Sequence, residues 1–138
     1  MLIEVRRDAI SLDEVLSALG QPRTVSDGPA DDLECGALVT FSGIVRGSED
    51  GRPIPHLDYE HYAGMAENQM RLLAAEAKSR WPIRDLALVH RIGTVPAGEA
   101  SVIVAVAAGH RAESFEAARF LIDELKVRVP IWKAAPTS

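Results

Sequence analysis

The chain has 138 residues and a mass of 14.9 kDa, with 47% hydrophobic and 25% charged residues. That is the size and balance of one globular domain with a core of its own, and it excludes a largely disordered chain. The single cysteine, Cys35, excludes an internal disulfide and a Cys-based zinc cluster.

The net charge of -5 is unevenly placed. Residues 1 to 34 hold eight acids and three bases; the remainder holds twelve of each. No concentrated basic footprint marks a nucleic-acid binder, although an isolated anion-binding pocket is compatible with the balance. No apolar run reaches the roughly 20 residues needed to cross a bilayer. The opening MLIEVRRDAISLDE lacks a signal-peptide core, so a cytoplasmic protein is expected. Arginines number twelve and lysines three, and two of those, Lys126 and Lys133, fall in the last thirteen residues. Lysine, unlike arginine, can give up its proton when desolvated or crowded by cations.

In chain order, Leu2 to Arg6 alternates as a short strand. Ser11 and Glu14 have capping-box spacing ahead of Leu12, Val15, Leu16 and Leu19, and Gly20 fits a helix stop. Residues 21 to 34 read as an exposed connection. Cys35 to Val45 is β-rich, with Cys35 a small buried hydrophobe. Residues 46 to 55 read as a polar loop. His56 to Tyr62 alternates Leu57, Tyr59 and His61 on one face, the pattern of a half-buried strand.

The clearest helix runs from Gly64 to Arg80, with Ala66, Met70, Leu73, Ala77 and Trp81 in one stripe, and Pro82 ends it. Leu86 to Ile92 reads as a strand and Gly93 to Gly98 as a turn. Ala100 to Ala108 is a nearly continuous apolar run, hence a central strand. A helix from about Ala112 to Val127 is expected to bury Phe115, Ala118, Ile122 and Leu125, with Leu121 beside them. Val129, Ile131 and Trp132 suggest a last short strand whose apolar residues dock. The order β-α-β-β-α-β-β-α-β is an α+β pattern, two main helices on an antiparallel or mixed sheet.

Several familiar sites are absent. There is no phosphate-binding P-loop motif, no GxGxxG and no GxSxG elbow. His56 and His61 point to opposite faces of a strand, poor geometry for a metal. Three segments remain. Phe41 to Arg46 leads a strand into a Gly-rich loop with Arg46 at its mouth, either an anion contact or a solvated loop residue. Gly109-His110-Arg111 falls between the central strand and a helix N-terminus, which favours an anion. The plainer alternative is that His110 caps and Arg111 pairs with Glu113 or Glu116. Leu125 to Lys133 carries Lys126 at a helix end, where a cation is welcome on structural grounds alone, and Lys133 after Pro130, which stiffens the link. Two lysines brought near Arg46 and Arg111 repel one another's protons, the condition in which an amine serves as base or nucleophile near neutral pH.

With these segments set out, the sequence resembles the MoaE family, the large, catalytic subunit of molybdopterin synthase. The resemblance rests on VTFSGIVR (39 to 46), LDYEHYAGM (57 to 65), HRIG (90 to 93), GHR and SFEA (109 to 111 and 114 to 117), and LK…VPIWK (125 to 133). It implies one domain over residues 1 to 138, of α/β hammerhead type, with a small additional antiparallel β subdomain. It implies a self-dimer inside a heterotetramer, each copy binding a small ubiquitin-like MoaD-type partner whose thiocarboxylated Gly-Gly tail enters the pocket. The implied reaction moves two sulfurs onto cyclic pyranopterin monophosphate and makes the molybdopterin dithiolene, with no metal, ATP or other cofactor at this step.

By the same resemblance Lys126 and Lys133 are the catalytic residues, and Arg46, His110, Arg111 and the pocket-lining Phe41 bind substrate. Two departures stand out. The family pattern continues after the second lysine with a basic residue and a glutamate, where this chain has Ala134 and Ala135. Many members also carry a longer tail than one ending at Ser138. A more open pocket is expected, with a non-catalytic, partner-binding scaffold as the alternative. Residues 134 to 138 are expected to fray.

Overall fold

The computed structural model describes residues 1–22 and 28–134. Its main sheet has the order β1-β6-β8-β2, built from β1 (Leu2–Arg6), β2 (Ala37–Ile44), β6 (Ile83–Arg91) and β8 (Ala100–Ala108). β1 runs parallel to β6, while β6, β8 and β2 pair antiparallel, so the sheet is mixed. The continuous apolar run of β8 follows from burial on both faces. Leu86, Leu88, Val102, Val104 and Val106 face α2 (Met65–Arg80) and α3 (Arg111–Arg128). Ala87, Val89, Ile103 and Ala105 face Ile10 and α1 (Leu12–Ala18).

Local sequence explains the helix ends. Ser11 Oγ accepts from Glu14 N–H at 3.2 Å. Only half of the expected capping box forms, because the Glu14 carboxylate turns to the Arg6 guanidinium instead. Gly64, at φ +83, precedes α2, and its N–H donates to the Glu67 carboxylate at 2.7 Å. Phe115 is 62% exposed, contrary to the expected stripe. The buried row of α3 begins one residue earlier, at Ser114, and continues through Ala117, Ala118, Leu121, Ile122 and Leu125. Spacing from Leu125 dictates that row, and small Ser114 fits it by donating its hydroxyl to the Ala37 carbonyl at 3.1 Å.

The second sheet, order β7-β5-β9, is wholly antiparallel and is the small additional β unit. It joins β5 (His56–His61), β7 (Gly93–Pro96) and β9 (Ile131–Lys133). The segment expected as a turn after Gly93 is thus largely a strand. Gly93, at φ +79, reverses the chain out of β6, and Thr94 to Pro96 then pair with Asp58 to His56. The expected loop 46 to 55 carries a small hairpin, β3 (Ser48–Glu49) and β4 (Arg52–Pro53), turned through Asp50 and Gly51, both at positive φ.

Cys35 precedes β2 rather than opening it and is only half-buried, its thiol near Gln21 and the Ala37 carbonyl. Ile131 packs on the core, but Trp132 stays 45% exposed, its indole N–H reaching Glu60 at 3.3 Å. Ala134 is tied down, its N–H donating to the Asp58 carbonyl at 2.7 Å; the rest of the segment expected to fray, including Ala135, lies outside the described residues. No described helix is long and apolar enough to cross a membrane.

Candidate functional site

A cavity of about 660 Å³ opens where the two sheets and the end of α3 meet. The C-terminal half of β2 supplies one wall through Phe41 and Gly43, and the chain continues to Arg46 at the mouth. β8 contributes Ser101 and Val102, β6 contributes His90, and α3 contributes Ile122, Leu125 and Lys126. The second sheet closes the other side with Leu57, Tyr59, Trp132 and Lys133. Ser48 and Glu49 of the hairpin stand at the rim. The floor, formed by Val45, His90, Ser101, Val102 and Leu125, is buried; Arg46, Lys126 and Lys133 are exposed around it.

Four of the six expected site residues therefore meet: Phe41, Arg46, Lys126 and Lys133 all line this one cavity. The chain brings the two lysines there by different routes. Lys126 rides in the last turn of α3. Val129, held extended ahead of Pro130, turns the chain into β9, where Lys133 is fixed by pairing with Tyr59. His110 and Arg111 do not line the cavity. They begin α3, and Lys126 lies fifteen positions beyond Arg111, about 22 Å along the axis. Both side chains are exposed, and His110 makes no side-chain cap bond. Among the described residues Arg111 pairs with neither Glu113 nor Glu116; the latter accepts the Trp81 indole N–H at 3.0 Å.

The charge around the cavity is uncompensated. Elsewhere several arginines are paired, Arg6 with Glu14, Arg84 with Asp32, Arg91 with Glu99 and Arg128 with Glu76. Among the described residues no salt bridge engages Arg46, Lys126 or Lys133, although a folded surface has acids to spare. Three unpaired cations around one concavity make a field for an anion, with N–H donors to bind it. Glu49 on the hairpin is the acid among the lining residues.

His90 and Tyr59 also belong to the cavity, although no role falls on them from their sequence position. His90 is 6% exposed and its ring packs edge-to-face with Tyr59, centroids 5.2 Å apart. Burial pushes its pKa below the usual histidine range; the hydrogen bond to the Arg91 carbonyl opposes this and the nearby Lys126 charge adds to it. The strand alternation of LDYEHY, which turns Tyr59 inward, and the strand-end place of His90 in LALVHRIG were the available signals.

An α+β domain that gathers unpaired cations around a cleft with a buried, largely apolar floor has the features suited to a small molecule with an anionic end. The family model described as "MoaE protein" matches residues 5–128, and the chain belongs to the MoaE family. It is 41% identical over 132 residues to the molybdopterin synthase catalytic subunit of Bos taurus, covering 96% of this chain and 64% of that protein. The chain therefore spans just under two thirds of that relative's length. Among solved structures it resembles the molybdopterin biosynthesis MoaE protein from Burkholderia ambifaria MC40-6, with a TM-score of 0.80, 35% identity, and coverage of 99% of this chain and 84% of that one. It also resembles a chain of the protein–protein complex of subunits 1 and 2 of molybdopterin-converting factor from Helicobacter pylori 26695, with a TM-score of 0.74, 25% identity, and coverage of 94% and 81%.

Proposed function

We propose that this chain is the catalytic subunit of a molybdopterin synthase, acting as a single domain in the cytoplasm. It transfers two sulfurs, in turn, from the thiocarboxylated C-terminus of a small ubiquitin-like MoaD-type partner to cyclic pyranopterin monophosphate, forming the dithiolene of molybdopterin. The observation that carries this reading is the convergence of Arg46, Lys126 and Lys133, without acidic partners among the described residues, on one cavity in a member of the MoaE family.

The place of each residue supports a role. Arg46 at the mouth binds the phosphate with directed N–H donors. Lys126, beside the apolar floor, serves the reacting centre as acid, base or charge stabiliser. Lys133, held by β9, orients the incoming thiocarboxylate. Phe41 forms an apolar wall against the ring system. The partner's Gly-Gly end is slim enough to enter extended, and its docking excludes water from the thiocarboxylate. His110 and Arg111 fit the phosphate clamp only through a second copy of the chain, because their own cavity lies at the far end of α3. A self-dimer carrying two partner chains provides that copy.

The test is turnover of cyclic pyranopterin monophosphate with purified thiocarboxylated partner. Dithiolene formation by the natural chain and its loss in Lys126→Ala, with partner binding retained, supports the reading. Partner binding without sulfur transfer at any substrate concentration refutes it.

A further inference from the structure

The rim cations account for a phosphate but not for the ring system that carries it. Donors cannot recognise donors, and Arg46, Lys126 and Lys133 offer N–H groups alone. A pterin ring presents N–H and amino donors, so its recognition calls for an acceptor deep in the cavity. We propose that His90 is that acceptor: its Nε2 receives an N–H of the bound heterocycle at the cavity floor, which makes His90 a specificity-determining residue for the ring. This rests on the pterin substrate of the proposed function.

The hydrogen bonding fixes which nitrogen is available. His90 Nδ1 lies 2.7 Å from the Arg91 carbonyl oxygen. A carbonyl only accepts, so Nδ1 carries the hydrogen and, in the neutral ring, Nε2 holds the lone pair. Nε2 has no hydrogen-bond partner among the described residues. It is not sealed off either: the enclosed and unpartnered side-chain atoms among those residues are Arg6 Nε and Glu113 Oε2. His90 is among the residues that line the cavity, and in this proposal its Nε2 lone pair is directed into it.

The surroundings keep it in that state. Tyr59 holds the ring edge-to-face, and the Arg91 bond fixes its rotation. Burial, the largest influence, and the positive charge of Lys126 oppose a second proton and together outweigh the Arg91 hydrogen bond, which favours one, so the ring stays an acceptor at neutral pH. The other buried polar side chain of the floor, Ser101, donates its hydroxyl to the Gly43 carbonyl at 3.3 Å, which leaves its oxygen as a second acceptor beside His90. The cavity thus divides its labour: exposed cations for the phosphate, a buried neutral acceptor for the ring.

The experiment is nitrogen NMR of the histidine-labelled natural chain, titrated with cyclic pyranopterin monophosphate and, separately, with inorganic phosphate. The pterin is expected to shift the Nε2 resonance of His90, and phosphate to leave it in place. In parallel, His90→Phe keeps a ring against Tyr59 and removes the acceptor; it is expected to raise the KM for the pterin about tenfold, the scale of one buried hydrogen bond, with kcat and partner affinity little changed. His90→Gln, which returns an acceptor at similar reach, recovers part of that loss. An unmoved Nε2 under saturating pterin, or an unchanged KM in His90→Phe, overturns the inference while leaving the proposed function standing. A natural chain that neither binds nor turns over the pterin overturns both. Should His90→Phe fail to fold, the titration of the natural chain decides alone.

Discussion

Tyr59 of β5 and Lys133 of β9 face each other directly across an antiparallel ladder, and both side chains line the cavity. Opposed residues in such a pair project from the same side of a sheet. The place of Lys133 is therefore set by backbone pairing, whereas that of Lys126 is set by the packing of α3 through Leu121, Ile122 and Leu125. Two rigid elements, joined by the short link through Pro130, hold two ammonium groups at one cleft.

Removing either amine should separate chemistry from folding. Lys126→Ala is expected to lower dithiolene formation by about 100-fold or more, the scale of a lost acid–base group. Both lysines are exposed, so the melting temperature and partner affinity should stay near those of the natural chain. Turnover and thermal melts on the same preparations check this. A parallel loss of melting temperature and activity would mark Lys126 as structural.

Arg46→Ala and Arg111→Ala should weaken substrate binding by about 10- to 100-fold, as expected for a charged hydrogen bond. Their geometry predicts different genetics, because Arg46 lies at its own cavity and Arg111 does not. Co-assembling Lys126→Ala copies with Arg111→Ala copies creates, in half of the dimers, one site with both residues intact. About a quarter of the natural activity should return if the clamp is shared across a two-fold dimer. The mixture of Lys126→Ala with Arg46→Ala should recover none.

Gly43→Ala should narrow the cavity. A Cβ there would stand 2.7 Å from Val102 Cγ1 and 3.5 Å from Phe41 Cε1, against a floor residue with little room to yield. The expected cost is about 1–3 kcal/mol of stability, with a raised KM as Phe41 and Val102 shift. Chemical denaturation and steady-state kinetics read both effects.

The pH dependence of stability has a definite sign. Glu14, Glu76 and Asp32 are held below the usual carboxylate range, chiefly by hydrogen bonds from Arg6, Arg128 and Arg84 respectively. Their contributions are complete above the ordinary carboxylate pKa and are lost as pH falls through the lowered values. His90 is lowered from 6.5 by burial, so between its folded value and 6.5 the unfolded chain binds more protons and stability falls with falling pH. Melting temperatures from pH 8 to pH 3 should first decline just below pH 6.5 and then again in the carboxylate range. His90→Phe should remove the first decline alone.

The parts of this fold that sequence reveals are those where side-chain burial dominates. β8 occupies the full apolar run Ala100–Ala108, and the stripe of α2 from Ala66 to Ala77 is buried. The parts it conceals are held by backbone pairing. β7 contains a glycine and a proline, both turn signals, yet its carbonyls and N–H groups complete the ladder to β5. Phe115 misled because hydrophobicity outweighed register, while Ser114 holds the buried place. At the site, the cations were legible as scarce lysines at a helix end and a strand. His90 was not, because a histidine within a buried strand reads as core until the cavity beside it is seen. The distance of His110 and Arg111 from Lys126 was equally hidden, since proximity to one helix says nothing about which end meets the cleft.

In the proposed function Arg46, Lys126 and Lys133 form one anionic-substrate site served by a sulfur-carrying partner. Its most direct measurement is the stoichiometry of a single-turnover reaction between the natural chain, thiocarboxylated partner and cyclic pyranopterin monophosphate. Two partner thiocarboxylates consumed per dithiolene formed, with none formed by the Lys126→Ala, Lys133→Ala double variant, is the predicted result. Equal product from that double variant, or a saturated complex that forms no dithiolene, would rule out this site as the seat of sulfur transfer.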